Sequence, residues 1–429
     1  MKKVFEKIVN SFFHIFKIRN DVIVFESGRN KIDGNPKAIY LYLKENYPNK
    51  YKLIYLTNKN ININELDKND VVFYKTLKSL YYLSVAKYLI RSESIGNIIK
   101  KRPEQVYIQT FHGHGPIKKG GFEIEENKKG QEYKNGLLNH CKEWDVYISM
   151  CELEEKHIID STGFNKKIIR LGIPSTDYIV NNKDIKNNEL LKKFNECKNI
   201  KLKLNIPMDK KVILYAPTYR SDLLGQENIN IRIESLKKLT DYVVLVRLHP
   251  LLNSKINKKL FDDSNFINVC EEEDIVNLYL ITDILISDYS ASIYEFALTG
   301  KKIVLYPYDY DEYKKYPGFC IDYKKTLPGP ICYDENELYD TILNIEKIYP
   351  KYNEKWNNFN KKYNYIKVCD IIIPLMDNYI EKLDLIRSDV IKIIKKHFKN
   401  NDFKLFLNTR DNYDKKITRI KSKIKKNDK

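Results

Sequence analysis

Short runs of β-branched and aromatic residues alternate along the chain with stretches of helical periodicity. The first series of runs predicts strands over Val22–Phe25, Lys52–Leu56, Val71–Tyr74, Tyr88–Arg91, Val106–Thr110, Val146–Ser149 and Lys167–Leu171. A second series predicts Val212–Ala216, Tyr242–Val246, Phe266–Val269, Ile284–Ser287 and Lys302–Tyr306. Helical segments fall between them, among them Pro36–Glu45, Glu152–Asp160, Val276–Ile281 and Ser292–Leu298. Strand and helix in strict alternation argue for parallel sheets covered by helices on both faces. A strongly charged stretch, Lys183–Lys203, separates the two series and reads as the helical end of one domain plus a linker. The expected organisation is a terminal helix over 1–20, a Rossmann-like domain over 21–205, a second over 206–375, and a helical basic tail over 376–429. Two doubly wound domains make a cleft, and ligands of such sheets sit beyond the carboxyl ends of the strands.

The two ends follow another pattern. Phe5, Ile8, Val9, Phe12 and Phe16 share one side of a helix, with Lys3, Lys7 and Lys17 near its flanks. That combination of aromatics and lysines suits a helix lying on a membrane surface; packing on the protein's own core is the other reading. No signal-peptide pattern is present, because Glu6, Lys7 and Asn10 interrupt the apolar stretch. Ile380–Phe398 is again helical in period and leads into a Lys/Arg-rich tail.

Charge sharpens this picture. The 429 residues carry a net +18, of which +4 lies in residues 1–20 and +6 in residues 410–429. A mildly basic body with strongly basic ends fits a protein held to an anionic surface better than a nucleic-acid-binding face, and no nucleic-acid partner is expected. A composition of 43% hydrophobic and 31% charged residues fills cores and excludes general disorder. No run approaches the roughly 18 apolar residues that a bilayer span requires. Seven cysteines, an odd number with no C-x-x-C pair, suggest neither a disulfide framework nor a zinc site, and reduced thiols are expected.

Candidate chemistry stands where the strands end. After Val106–Thr110 comes Phe111-His112-Gly113-His114-Gly115-Pro116-Ile117-Lys118-Lys119-Gly120-Gly121. Its glycines permit tight turns, its histidines supply a proton acceptor, and its lysines, Lys118 first, supply phosphate-binding cations. It is neither a Walker A loop nor a G-x-G-x-x-G loop. After Val212–Tyr215, Thr218 and Arg220 have the reach for an anionic group. After Val243–Val246, Arg247 and His249 alternate with Leu248 and so share a face. After Asp283–Ile286 comes Ser287-Asp288-Tyr289-Ser290-Ala291-Ser292-Ile293-Tyr294-Glu295. Ser292 and Glu295 have the S-x-x-E spacing of a capping box, and Ser290 and Ser292 are expected to hold phosphate oxygens at that helix start. Asp288 is expected to orient a neighbour or bind a sugar hydroxyl. Convergent phosphate-binding groups facing one candidate base imply transfer chemistry on a phosphorylated nucleotide.

The ordered set QTFHGHGPIKKGG, ILYAPTYR, RLHP and ITDILISDYSASIYEFALTGKKIVLYPYDYDEY resembles the CDP-glycerol glycerophosphotransferase family. VIVFESGRNKIDGNPKAIYLYLKENYPNKYKLIYLT, LGIPSTDYI, YPGF and LPGPI extend the resemblance from about residue 22 to 345. It implies a GT-B-like fold and peripheral attachment to the cytoplasmic face of the plasma membrane. Its chemistry is attack of an acceptor hydroxyl on the β-phosphorus of a CDP-polyol, most simply CDP-glycerol, with release of CMP in teichoic-acid-type or capsular polymer synthesis. The acceptor is a lipid-linked or polymeric hydroxyl. By motif, His112 is the general base, His249 binds the donor pyrophosphate, and Arg247, Ser290 and Ser292 support the phosphates. His114 departs from the family pattern, so the base is His112 or His114, with His112 heading the motif. No metal or other cofactor is called for, because such catalysis is mostly positioning plus electrostatics. A chain of this length suits a primase-like, single-addition enzyme or a compact polymerase. A nucleotide-sugar glycosyltransferase is the alternative that the same strand-end groups allow.

Overall fold

The computed structural model describes residues 2–362 apart from 29–31, 60, 62, 64, 94–98, 125–130, 178–196, 221–230, 249, 254 and 271–273. Every described residue lies in one compact unit, Met1–Val368. The expected linker is covered only in its last residues, and the expected helix over 380–398 and the basic tail lie outside the described residues.

All the predicted strands form, each within about one to three residues of its expected bounds. They are β1 (Arg19–Glu26), β2 (Lys52–Thr57), β3 (Val71–Phe73), β4 (Ala86–Arg91), β5 (Val106–Gln109), β6 (Val146–Ser149), β7 (Lys167–Arg170), β8 (Lys211–Tyr215), β9 (Tyr242–Val246), β10 (Phe266–Asn268), β11 (Ile284–Ser287) and β12 (Lys302–Leu305). The first seven make one sheet in the order β3-β2-β1-β4-β5-β6-β7, and the other five make a second in the order β10-β9-β8-β11-β12. Every strand pairing is parallel. Parallel strands are covered on both faces, which is why the middle positions of most of these runs, such as Val22–Phe25 and Val212–Leu214, are consecutively apolar rather than alternating. Val22–Phe25 and Val212–Leu214 are fully buried.

The helices that matter for the site are α1 (Lys2–Phe13), α2 (Gly34–Asn46), α3 (Leu77–Val85), α4 (Gln131–Glu143), α5 (Glu152–Thr162), α6 (Ile275–Ile281) and α7 (Ser292–Ala297). Strand order reverses between β1 and β4 in the first sheet and between β8 and β11 in the second. Those two switch points are where the topology opens a crevice.

Among the contacts that join the halves of the described residues are the following. The buried Lys37 on α2 pairs with Asp274, the N-cap of α6, at 3.4 Å. Tyr294 on α7 donates from its hydroxyl to the Pro116 carbonyl at 3.2 Å. Residues 117–119 run antiparallel to 318–320, with the Lys119 N–H donating to Gly318 O at 3.0 Å and the Cys320 N–H to Ile117 O at 2.9 Å.

The N-terminal helix packs one side on the protein's own core. Phe13 is buried in the first core with Val9 against it, and the Ser84 hydroxyl donates to Phe13 O. Ile8 and Phe12, on the adjoining side of the helix, and Ile15 just after it are 63%, 57% and 75% exposed. Among the described residues no helix is long and apolar enough to cross a membrane.

Candidate active site

The histidine loop leaves β5 through a strained residue. Phe111 has φ +52°, a left-handed conformation that costs a residue other than glycine about 1–3 kcal/mol. It delivers His112 to the solvent side of the loop, half exposed, with its ring stacked on Phe111 at 5.1 Å between centroids. His112 Nδ1 lies 3.2 Å from the Ser92 carbonyl and 3.7 Å from a Glu93 carboxylate oxygen. A carbonyl only accepts, so this bond puts the proton on Nδ1 and leaves Nε2 as the basic nitrogen. Ser92 and Glu93 follow β4, at the switch point of the first sheet.

His114, two residues on, is fully buried. Its Nδ1 meets Glu154 Oε1 at 2.6 Å and its Nε2 meets Thr110 O at 2.7 Å. Glu154 is an acceptor and so holds a proton on Nδ1, whereas Nε2 stands between the Thr110 carbonyl, an acceptor, and the Asn35 amide nitrogen, a donor, at 3.0 Å. Burial opposes a charge on this ring, but Glu154 outweighs it and holds the His114 pKa above the ordinary value. Glu154 also accepts from the Tyr147 hydroxyl at 2.7 Å and the Met150 N–H at 2.8 Å. Burial tends to raise its pKa; these partners, His114 foremost, bring it below the usual carboxylate range. Of the two candidate bases, then, His114 is consumed in a buried ion pair and His112 faces outward.

Asn35, at the start of α2, clamps the same turn. Its amide donates to Thr110 O at 2.7 Å and Phe111 O at 3.0 Å, and its carbonyl accepts from the Ser175 N–H at 3.0 Å. The loop therefore hangs from α2, α5 and the segment after β7 together.

Across the cleft, the ends of β8 and β11 are tied to each other. Asp288 is 1% exposed; it accepts from the Thr218 N–H at 2.8 Å and from Arg220 Nη2 at 2.8 Å. Arg220 further donates to both oxygens of Asp309, at 2.7 and 3.0 Å, and to Thr218 O at 2.8 Å. Its guanidinium lies over the rings of Tyr313 and Tyr289, at 4.8 and 5.1 Å. Burial opposes its charge, and the two carboxylates outweigh burial and hold its pKa up. Four of the five N–H donors of Arg220 are spent on protein acceptors, which leaves one for a ligand. Asp288 orients Arg220 and the Thr218 amide, the first of its two expected roles. The Thr218 hydroxyl is buried and has no hydrogen-bond partner among the described residues.

The expected capping box is absent. Ala291 is the N-cap of α7 in a helical conformation, so Ser292 is already the first helical residue and cannot fold back to a third-residue N–H. Ser290 Oγ instead accepts from the Ser292 N–H at 3.3 Å, and Ser292 Oγ sits 3.3 Å from Ser287 Oγ. Glu295 accepts from the Tyr279 hydroxyl at 3.0 Å, and burial pushes its pKa up. Arg247 is half-buried and donates to Val269 O at 3.0 Å. His249 lies outside the described residues.

The two sides meet at the glycines of the histidine loop. A Cβ on Gly113 would stand 3.5 Å from the Ala291 side chain, between Ser290 and Ser292. At Gly115 (φ +92°) a Cβ would run into the Tyr294 ring at 2.2 Å, so only glycine permits this approach. Lys118 makes no ion pair among the described residues, and Asp288 and Arg220 both act on its charge. Its side chain is open to solvent but protein crowds its other sides, and that desolvation draws its pKa below the ordinary lysine value. Sequence reasoning missed Asn35, Glu154 and Asp309. Asn35 had a faint signal in the Gly34-Asn35-Pro36 helix start, whereas nothing separates Glu154 from the other acids in the first turn of α5.

A sequence model described as CDP-glycerol:poly(glycerophosphate) glycerophosphotransferase matches residues 8–368. The teichoic acid glycerol-phosphate transferase of Staphylococcus aureus is 32% identical over 384 residues, covering 85% of this chain and 94% of that protein. The teichoic acid poly(glycerol phosphate) polymerase of Bacillus spizizenii is 31% identical over 369 residues, covering 82% and 90%. Among solved structures, a histidine-to-asparagine variant of the wall teichoic acid polymerase TagF, soaked with CDPG, superposes with a TM-score of 0.74 at 26% identity, covering 91% of this chain and 95% of that one.

Proposed function

Because the chain belongs to the CDP-glycerol:poly(glycerophosphate) glycerophosphotransferase family, we propose that it transfers glycerol phosphate from CDP-glycerol to an acceptor hydroxyl in teichoic acid synthesis, with His112 as the general base. The observation that carries the roles is the meeting of the His112 loop with the Ser290–Ser292 turn across the cleft. The acceptor oxygen attacks the β-phosphorus, which bears the glycerol. As the new P–O bond forms, the bond from that phosphorus to the bridging oxygen breaks and CMP leaves. The acceptor proton passes to His112 Nε2, whose tautomer the Ser92 carbonyl maintains. Charge growing on the departing phosphate falls to Lys118, Arg247, the Thr218 hydroxyl and the Ser290 and Ser292 hydroxyls, with His249 added by motif. Groups fixed in place before reaction stabilise that charge without reorganising, as phosphoryl transfer requires.

The exposed Ile8, Phe12 and Ile15, beside Lys7 and Lys17, support peripheral docking on an anionic membrane surface, where a lipid-linked acceptor would be presented. The decisive experiment is CMP release by His112→Asn from CDP-glycerol with a lipid-linked acceptor, compared with CDP-ribitol and a nucleotide-sugar panel. The variant is expected to keep its fold and CDP-glycerol binding and to lose turnover. Parental turnover in His112→Asn sinks the assignment of the base. Turnover of a nucleotide sugar but of no CDP-polyol by the parent sinks the reaction.

A further inference from the structure

Away from the cleft, three metal-binding side chains from distant parts of the chain converge. Glu123 closes the short turn Gly121–Glu123 that follows the histidine loop, His157 stands on α5, and Cys320 ends the segment paired with residues 117–119. His157 Nδ1 is 2.9 Å from Glu123 Oε2, and Cys320 Sγ is 3.4 Å from His157 Nδ1 and 3.7 Å from Glu123 Oε2. All three are half-buried. In a tetrahedral zinc site the bond lengths set neighbouring ligand atoms about 3.4–3.6 Å apart. The two edges that include sulfur already have about that length, and the shorter edge opens by a small carboxylate rotation. The Gly120 N–H donates to the same Glu123 oxygen at 3.1 Å, which fixes the carboxylate from behind.

A hydrogen-bond cluster needs no thiol at this spacing, since a thiol is a weak donor. Thiolate, imidazole and carboxylate together are a donor set for zinc. We propose that Glu123, His157 and Cys320 bind a divalent zinc ion, with water as the fourth ligand, and that this ion staples the outgoing strand of the His112 loop to the segment around Cys320. The staple lies next to the pairing of residues 117–119 with 318–320, so it holds the loop against the other half of the protein. No step of the transfer reaction passes through it. The three residues stand far apart in sequence, so no spacing motif reveals them.

The test uses the full chain, stripped with chelator and reloaded with zinc or cobalt(II). Zinc should remain at one equivalent through gel filtration, and the cobalt form should show a thiolate-to-cobalt charge-transfer band. Cys320→Ser should lose that band, and Cys320→Ser and Glu123→Gln should each weaken zinc binding at least about 100-fold. Zinc should raise the unfolding midpoint of the parent and leave that of both variants unchanged. Glu123→Gln preserves size, and circular dichroism checks its fold, so lost binding there is not lost folding. Equal zinc retention by parent and variants overturns the proposal, as does no binding by the folded parent at micromolar free zinc.

Discussion

Glu154→Gln tests whether the histidine loop is held by a buried imidazolium. The substitution conserves shape and removes one charge. Glu154 accepts from three donors: His114, the Tyr147 hydroxyl and the Met150 N–H. A glutamine has one acceptor oxygen and an NH2, so its amide must face one of those donors with another donor. Leaving one buried donor unsatisfied costs about 1–3 kcal/mol. His114 loses its counter-charge and sheds a proton, after which its bare nitrogen faces the Thr110 carbonyl and only the Asn35 amide donates to it, a second cost of up to about the same size. The expected destabilisation is about 2–4 kcal/mol near pH 6. It falls short of the upper range for a broken buried pair because the imidazole can neutralise itself.

The pH dependence carries the diagnosis. The folded His114 pKa lies above its ordinary 6.5, so its contribution is fully present below pH 6.5 and is lost as pH rises through the folded value. The folded Glu154 pKa lies below its ordinary 4.5, so its contribution is present above pH 4.5 and is lost as pH falls through the folded value. The pair therefore stabilises most between those two ordinary values. The penalty of Glu154→Gln should shrink towards pH 9 by about 1.4 kcal/mol for each unit by which the folded His114 exceeds its ordinary value. In the variant burial acts on His114 against only the Thr110 carbonyl and Glu295, so its pH dependence weakens. Denaturant midpoints of parent and variant between pH 5 and 9 measure this, with CMP release alongside. Parallel curves, or a difference under about 0.5 kcal/mol throughout, would refute the imidazolium pairing.

Three further outcomes are expected. Lys118→Met removes a cation from the donor side and should lower kcat/KM for CDP-glycerol about 10- to 100-fold with the unfolding midpoint unchanged; an unchanged kcat/KM removes Lys118 from the donor site. Asn35→Ala loses four hydrogen-bond contacts around the His112 turn, one of them to His114, and should cost about 2–3 kcal/mol in stability and lower kcat more than it raises KM; a stability loss with unaltered turnover would show that the clamp does not position His112. Ile8→Ser with Phe12→Ser removes exposed apolar area worth about 1 kcal/mol each on burial in lipid and should reduce co-sedimentation with anionic vesicles, while turnover of a soluble acceptor analogue stays at the parental level. Unchanged vesicle binding would leave the surface of α1 without that role.

The strands were legible because parallel strands buried on both faces are consecutively apolar at their middle positions, and runs such as Ile284–Ser287 and Tyr242–Val246 show this without ambiguity. The candidate residues were sought for a related reason: open α/β sheets place ligands at strand ends, so residues after β5, β8, β9 and β11 were singled out. Roles were harder. Arg220 and Asp288 read as ligand-binding groups because each is charged and follows a strand. Their engagement with each other, and with Asp309 eighty-nine residues from Arg220, is a property of the folded chain that no local pattern carries. Ser292 and Glu295 had the spacing of a capping box, but the helix starts one residue earlier than that box requires.

The two histidines of the loop play unlike parts. The base proposed above must present Nε2 to a substrate, and His112 is half exposed. Phe111 and Gly113 on either side both have positive φ, a conformation that relaxes when nothing opposes it. The opposing force comes from His114, which sits beyond a glycine that turns the chain so that the two rings face opposite ways. Burying a charged imidazole is unfavourable unless its partners are placed with little error, and that demand makes the arrangement specific. An apolar residue at 114 would pack in several ways. An imidazolium held between Glu154 and the Thr110 carbonyl packs in one, and it fixes the strained backbone from which His112 projects.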